Sequence, residues 1–162
     1  MSERIKELSA IIETRFPAVN FVCFDSVQLN EFLNHIIAKN THFIMVEKEV
    51  LSSVFRFLQE ENVGNSLLKQ YKKEWDAYWT GNDIVILNLI SESPKSPDGS
   101  HGMSIEQLLV DIISEKSLKA LYSASEVQRI YNSASKRYLI DYARLLRYAR
   151  RSGKDDLVKK YV

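Results

Sequence analysis

Hydrophobic residues recur at helical spacing in the segment that follows Ser104. Five of them occupy positions i, i+3, i+4, i+7 and i+8: Ile105, Leu108, Leu109, Ile112 and Ile113. At about 100° per residue these side chains share one arc of an α-helix. Ser104 and Gln107 have the spacing of a capping box, which satisfies the backbone N–H groups at a helix start. The pattern predicts an amphipathic helix over residues 104–122, with Asp111 at the edge of its apolar stripe and Glu106 outside it.

Short runs of β-branched and aromatic residues predict three strands. They are residues 21–24, 42–46 and 84–90. Apolar residues at helical spacing predict helices that alternate with these strands. The helices predicted before residue 67 are residues 2–15, 27–38 and 50–61. Residues 67–79 also fit helical spacing, but the beginning of this segment is equally compatible with a strand.

Residues 91–103 form the one long segment with a loop composition, since they hold most of the prolines in the chain. After this segment the pattern predicts helices throughout. They are residues 104–122, 123–138, 140–151 and 154–161. Strands that alternate with helices indicate an α/β (or α+β) fold, with a small three- to four-stranded sheet flanked by helices and a helical C-terminal third. We expect a single domain over residues 1–162, with a basic helical part over residues 123–162.

The composition is that of an ordinary globular domain. The chain has 162 residues, of which 45% are hydrophobic and 27% charged. Its single cysteine, Cys23, excludes an internal disulfide and suits a reducing compartment; between Val22 and Phe24 we expect a buried, inert thiol. Apolar runs fall far short of the ~20 residues that span a bilayer, and the first residues do not resemble a signal peptide. These features predict a cytoplasmic protein without a membrane segment.

The charge is distributed unevenly along the chain. From Arg129 onward ten basic residues face three acidic ones, a net charge of +7, whereas the whole chain carries +1. Such polarity permits a polyanion or an acidic protein as partner, and does not choose between them. The candidate contact residues lie in the predicted helix of residues 140–151. They are Arg144, Arg147, Arg150 and Arg151, with Ile140, Ala143 and Leu146 along another side, and Tyr142 and Tyr148 are candidates for stacking. A solvated helix with cations near its C-terminus explains the same pattern.

Acidic residues near two strand ends raise the alternative of a metal-dependent nuclease. Such a site holds a cation between carboxylates and uses a lysine to position the attacking water. Asp25 ends the first strand, and Glu47 and Glu49 follow the second. No lysine lies two residues after Glu47, so the expected triad is incomplete. Acids that offset the dipole of the following helix are the weightier interpretation.

Other catalytic and cofactor patterns are missing from the sequence. There is no phosphate-cradling glycine loop, and neither Gly64 nor Gly99 precedes the paired aspartates of a nucleotidyltransferase. His35, His42 and His101 are far apart and lack partners at metal-ligand spacing. We therefore expect no catalytic residue, no metal and no cofactor.

Several segments together resemble a bacterial domain family. They are residues 20–25 (NFVCFD), 29–32 (LNEF), 45–49 (MVEKE), 54–58 (VFRFL), 89–94 (LISESP), 104–112 (SIEQLLVDI) and 144–151 (RLLRYARR). Their succession, which covers nearly the whole chain, resembles a family of unknown function related to the AbiEi-like antitoxins of type IV toxin–antitoxin (abortive infection) systems.

The resemblance implies a role in phage defence. Such antitoxins join an N-terminal winged helix to a domain like this one, repress their own operon and counteract a nucleotidyltransferase toxin without a tight complex. Only one predicted helix precedes the first strand here, so we expect the winged helix to be missing. The leading hypothesis is a non-enzymatic antitoxin-type domain that acts through macromolecular contacts. The nuclease-like enzyme and a plain nucleic-acid-binding module, which would use the basic C-terminal helix, are the alternatives.

Overall fold

The computed structural model describes residues 1–68, 80 and 83–162. The chain forms two compact units. Unit 1 consists of Met1–Gln28 and Ala38–Leu89, and unit 2 of Leu29–Ile37 and Ile90–Val162. Unit 1 contains a mixed sheet with helices, whereas unit 2 is helical. The predicted combination of a small sheet, flanking helices and a helical C-terminal third is confirmed.

Four strands form the sheet of unit 1. They are β1 (Phe21–Asp25), β2 (His42–Val46), β3 (Ser66–Leu68) and β4 (Ile84–Asn88), in the spatial order β1-β2-β4-β3. β1 is antiparallel to β2, while β2 and β3 are both parallel to β4. The three predicted strands are thus confirmed, and the strand alternative holds for the beginning of residues 67–79. Residues 69–79 lie outside the part that the structure describes.

Two helices pack on the sheet of unit 1: α1 (Glu3–Arg15) and α2 (Leu51–Glu60). Ser2 caps α1 by accepting a hydrogen bond from the backbone N–H of Ile5 at 3.3 Å. The apolar stripes of both helices join alternate residues of the strands in one core. Its members include Ile5, Leu8, Ile12, Phe21, Cys23, Ile44, Val46, Val54, Leu58, Ile84 and Ile86. The period of two along each strand places these strand residues on the same face of the sheet.

The helix predicted over residues 27–38 is wrong. A 3₁₀ helix occupies Ser26–Glu31, and the chain is irregular from there to β2. Asn30 explains the difference, because its amide exchanges two hydrogen bonds with the backbone of Ile37, at 2.7 and 3.0 Å. Asparagine side chains offer the backbone such local alternatives to a helix.

Unit 2 contains five α-helices in the described part of the chain. They are α3 (Ile105–Ser114), α4 (Lys116–Lys119), α5 (Val127–Arg137), α6 (Tyr142–Arg151) and α7 (Asp155–Val158). The helix predicted over residues 104–122 is interrupted at Glu115, which has an extended backbone and caps α4 through Ser117 N–H at 2.9 Å. A 3₁₀ turn, Ala124–Glu126, precedes α5. None of the described helices is long and apolar enough to cross a bilayer.

The buried surface of α3 is wider than the apolar stripe predicted from the sequence. Eight of its ten residues are buried, including Glu106, Gln107 and Asp111. Buried polar groups need hydrogen-bond partners, and the carboxyls of Glu106 and Asp111 find them in unit 2. Glu106 Oε1 accepts the backbone N–H of Asp141 at 3.0 Å, and Asp111 accepts from the side chains of Gln107, Ser114 and Tyr148. The one-sided prediction failed because Asp141 and Tyr148, which bind Glu106 and Asp111, are 35 and 37 positions away in the sequence.

Candidate interaction surface

Helix α6 carries the arginines that the sequence analysis selected. Its first turn is capped by Asp141, whose Oδ1 accepts the N–H of Arg144 at 3.0 Å. Its last turn ends in a Schellman motif: Lys154 N–H donates to Ala149 O at 2.8 Å and Gly153 N–H to Arg150 O at 3.0 Å. Gly153 has φ +65°, a conformation that glycine adopts without strain. The sequence therefore fixes both ends of α6.

The buried face of α6 consists of Leu145, Tyr148 and Ala149. Of the apolar side expected from the sequence, Ala143 is exposed and Leu146 only half-buried. The reason is Tyr148, which is 2% exposed and whose hydroxyl donates to Asp111 Oδ1 at 3.0 Å. A tyrosine can be buried when its O–H finds a partner, and α3 supplies one. The helix is therefore rotated relative to the orientation that the sequence suggested.

The Asp111 carboxyl is strongly perturbed by its surroundings. Burial raises its pKa to about 7, against the lowering effect of hydrogen bonds from Gln107 and Tyr148. Gln107 Nε2 donates to Asp111 Oδ2 at 3.2 Å. The pKa of Tyr148 is also raised, first by burial and then by the adjacent Asp111. Since Asp111 is 3% exposed, we interpret this group as part of the interior of unit 2.

The four selected arginines fall into two pairs with different environments. Arg144 Nη2 donates to the carbonyl of Lys95 at 2.8 Å, and Arg151 forms an ion pair with Glu92. Both bonds attach α6 to the loop of residues 91–103. Arg147 and Arg150 are exposed, and neither side chain lies within ion-pair distance of a carboxylate among the residues that the structure describes, but Arg150 is near enough to Asp155 to help lower the pKa of that carboxyl. Of the predicted set, this second pair is available to a partner.

A second basic surface, which the sequence analysis missed, lies along α5. Six side chains line a shallow groove of about 530 Å³: Ser125, Arg129, Asn132, Ser133, Lys136 and Arg137. We call this surface the α5 groove. The intervals of four, three, one, three and one residues place them on one helical face. That spacing was available in the sequence, but Arg129, Lys136 and Arg137 were counted there only as part of the overall charge.

Exposed aromatic and apolar side chains mark the connection between α5 and α6. Tyr138, Leu139 and Tyr142 are 41%, 100% and 45% exposed. Tyr138 is held in place, because its hydroxyl donates to Glu31 at 2.8 Å and its ring lies 6.1 Å from that of Phe32. We call these three residues the aromatic corner. Tyr142 is exposed as its predicted stacking role requires, whereas Tyr148, the other tyrosine selected for stacking, is buried; the exposure of Tyr138 and Leu139 depends on where α5 ends.

The acidic residues proposed for a nuclease site are separated. Asp25 lies opposite His42 at the start of β2, whereas Phe21 lies opposite Val46 at its end. Because Glu47 follows Val46, it lies five residues along the chain from the partner of Asp25, about 17 Å at ~3.4 Å per residue. Glu49 lies in the 3₁₀ helix Lys48–Val50, and Glu47 accepts from Asn20 Nδ2 at 2.8 Å. Ligands of one cation lie only ~2.0–2.6 Å from it, so this register does not allow a shared ion.

Asp25 has a different set of contacts in unit 1. It is fully buried, and its carboxylate accepts from His42 Nδ1 at 2.7 Å, Asn40 Nδ2 at 3.1 Å and both the N–H and hydroxyl of Ser2 at 2.5 and 3.0 Å. Burial raises its pKa, but these hydrogen bonds outweigh that effect and hold the pKa below its ordinary value. The carboxylate thus ties the start of α1 to the end of β1.

Two further expectations concern Cys23 and metal ligands. Cys23 is fully buried, and burial raises the pKa of its thiol to about 12, which confirms a buried, inert cysteine. Within residues 1–68, 80 and 83–162, no three His, Cys, Asp or Glu side chains are grouped so that they could hold a metal ion.

Comparison with known proteins gives one family. No curated protein and no solved structure matches the chain. The model of a family of unknown function, DUF6577, matches residues 1–162. Because this match spans the chain from the first residue to the last, the protein belongs to the DUF6577 family.

Proposed function

We propose that this protein is a non-enzymatic, antitoxin-type domain of a type IV toxin–antitoxin system, similar to the AbiEi-like antitoxins. It acts in the cytoplasm through contact with another macromolecule. Its functional partner is a nucleotidyltransferase toxin, and its role is abortive infection in phage defence. The resemblance of seven sequence segments to that family motivates the proposal.

The observation that carries the proposal is the exposed cation pair on α6. Arg147 and Arg150 are three residues apart, which places them on neighbouring positions of one helical face. Neither has an ion-pair partner in the described part of the chain, whereas Arg144 and Arg151 are bound by the loop of residues 91–103. An exposed pair of arginines suits carboxylates or phosphates of a partner, because each guanidinium presents a planar set of donors.

The separation of the acidic residues supports a non-enzymatic role. Asp25 is enclosed by four donors of its own unit, so its carboxylate has no position for a substrate. Glu47 and Glu49 lie at the opposite end of the β1–β2 pair. The nuclease-like alternative relied on these three side chains acting together, and their separation removes its basis.

The proposal is tested by co-expression with a nucleotidyltransferase toxin encoded beside the gene. We expect the wild-type chain to restore colony formation that the toxin suppresses. The double variant Arg147→Gln/Arg150→Gln should restore it much less. No restoration by the wild-type chain would remove the antitoxin proposal.

A matched control removes the same charge elsewhere in unit 2. Lys116 and Lys119 are exposed on α4, and Lys116→Gln/Lys119→Gln lowers the net charge by the same amount. We expect this variant to protect as the wild type does. Equal loss in both double variants would mean that net charge, and not the α6 pair, is responsible.

A further inference from the structure

The α5 groove combines the chemical groups that bind a phosphate backbone. Arg129, Lys136 and Arg137 supply cations, while Ser125, Asn132 and Ser133 supply hydroxyl and amide groups. Proteins contact nucleic-acid phosphates with these residue types. From Arg129 to Lys136 the helix rises about 10 Å, at ~1.5 Å per residue, so the cations can meet successive phosphates of one strand.

Most of the positive charge of the α5 groove is not neutralised by nearby acidic side chains. Arg129 and Lys136 are exposed and have no ion-pair partner among the described residues. Glu126, at the start of the groove, is occupied by the N–H of Ser123 at 3.1 Å and by His35 Nδ1 at 3.1 Å. Arg137 pairs with Glu31 at 3.4 Å, with both side chains more than one-third exposed. Exposed pairs of this kind contribute little to stability, so a phosphate can replace Glu31.

The aromatic corner adds a second type of contact at the end of the groove. Tyr138 follows Arg137 directly, and Tyr142 lies four residues further, at most about 15 Å away at ~3.8 Å per residue. Both rings are more than 40% exposed. Exposed rings beside a cationic groove suit unpaired bases, which stack on aromatic side chains. The bases of a duplex are stacked inside it and leave no free face for these rings.

We propose that the α5 groove and the aromatic corner bind single-stranded nucleic acid, with phosphates along Arg129 and Lys136 and bases stacked on Tyr138 and Tyr142. The cations of this site lie on α5, whereas the Arg147–Arg150 pair lies on α6, and the site does not depend on the antitoxin proposal. Binding to a labelled oligonucleotide requires no toxin, so the two proposals can fail separately.

The test is fluorescence anisotropy of the full chain with oligonucleotides of about 12 nucleotides, within the usual site sizes. The probes are oligo(dT), oligo(rU) and a duplex of the same length. We expect the single strands to bind more tightly than the duplex, with affinity that falls as salt rises from about 50 to about 300 mM. The ratio of the dT and rU affinities tells whether DNA or RNA is preferred. Tighter binding of the duplex, or no binding at low salt, would overturn the proposal.

Variants separate the two kinds of contact. Arg129→Gln/Lys136→Gln should weaken binding about tenfold or more and reduce the salt slope by about 1.4, since each phosphate contact on a single strand contributes ~0.7. Lys116→Gln/Lys119→Gln, with the same charge change, should leave the slope near that of the wild type. Equal effects of the two double variants would contradict the assignment of the groove.

Tyr142 tests stacking without disturbing the interior, because its side chain is 45% exposed. Tyr142→Ala should weaken binding about tenfold, as expected for loss of one stacked base, whereas Tyr142→Phe keeps the ring and should bind as the wild type. An unchanged affinity in Tyr142→Ala would exclude stacking at this position. Competition by poly-glutamate as effective as that by unlabelled oligonucleotide would show that the groove recognises acidic protein surfaces instead.

Discussion

Asp25 in unit 1 and Asp111 in unit 2 are both buried aspartates, yet their pKa values move in opposite directions. Asp25 is fully buried and Asp111 is 3% exposed. Burial is the largest influence on each and raises the pKa in both cases. For Asp25 the final pKa lies below the ordinary value, whereas for Asp111 it rises to about 7. Low solvent exposure alone therefore does not decide the protonation state of these carboxyls.

The donors around each carboxylate, together with the deeper burial of Asp111, account for the difference. Asp25 receives four hydrogen bonds, among them one from a histidine and one from a backbone N–H. Asp111 receives bonds from Tyr148, Gln107 and Ser114, of which that from Ser114 is 3.3 Å long, and Glu115 repels its negative charge. Donors to the ionised form lower a pKa, and like charges raise it. The contacts of Asp25 favour its ionised form, whereas the pKa of Asp111 lies at about 7.

The largest expected effect is that of Asp25→Asn. The variant should lose about 2–4 kcal/mol of unfolding free energy at pH 7, because the new amide donor faces four other donors. The folded pKa of Asp25 is lowered, so its contribution is present above the ordinary pKa and lost as the pH falls through the folded value. Urea unfolding at pH 7 and near pH 3 measures this: the deficit should shrink in acid.

Asp98→Asn provides the control for that substitution. Asp98 is exposed, in the loop of residues 91–103, and its removal takes away the same charge. Its effect on the free energy of unfolding should be far smaller. Similar losses in the two variants would mean that Asp25 contributes no more than a surface carboxylate.

At high pH, Asp111→Asn should raise the free energy of unfolding, whereas Asp25→Asn lowers it. The folded pKa is raised, so the stability contributed by the protonated carboxyl is present below the ordinary pKa of 3.8 and is lost as the pH rises to about 7. At pH 8 the variant should be more stable than the wild type by about 1–2 kcal/mol, within a ceiling of about 4 kcal/mol at ~1.4 kcal/mol per pKa unit. At pH 5 the gain should vanish. A loss at pH 8 would show that ionised Asp111 is well accommodated.

Ser2→Ala tests the comparison by removing one of the donors to Asp25. It removes the hydroxyl that donates to Asp25 and accepts from Ile5 N–H. We expect a loss of about 1 kcal/mol, typical of an N-cap, together with a higher pKa of Asp25. Ser53→Ala, at an exposed position of α2, serves as the control. Thermal unfolding of both variants measures the loss of stability. A Tm of Ser2→Ala equal to that of Ser53→Ala would contradict the role of Ser2.

Tyr148→Phe should give the smallest effect. It removes one donor to Asp111 and should therefore raise the pKa of Asp111 further, with a loss of up to about 1 kcal/mol at pH 8. Carboxyl titration by NMR measures the pKa directly. A lowered pKa in this variant would contradict the assignment of Tyr148 as a donor to the ionised form.

Elements with a strong local signal could be predicted from the sequence. The predicted strand of residues 42–46 has the observed bounds of β2, and helix α1 begins after Ser2 as its cap predicts. The helix over residues 27–38 failed because Asn30 bonds to the backbone of Ile37, a contact that a periodicity of apolar residues does not contain. Strand order was also inaccessible, since it depends on pairing between distant segments.

The candidate site was predicted in part, for a similar reason. Arg144, Arg147, Arg150 and Arg151 are on α6 as expected, but which of them face a partner depends on Glu92 and Lys95 in a distant loop. The buried side of α6 depends on Asp111, which is 37 positions from Tyr148 in the sequence. The spacing of the residues that line the α5 groove could be recognised in the sequence. The exposure of Tyr138 and Tyr142 could not, because it depends on where α5 ends in the structure.

The hydrogen bond between Glu106 and the N–H of Asp141 has a consequence for recognition. It fastens the connection between α5 and α6 to the first turn of α3, from a side chain that is 4% exposed. A connection anchored from within has few conformations to lose when something docks on it. The site at Tyr138 and Tyr142 should therefore be preorganised, so that a ligand binds with a small loss of conformational entropy and little change in the backbone.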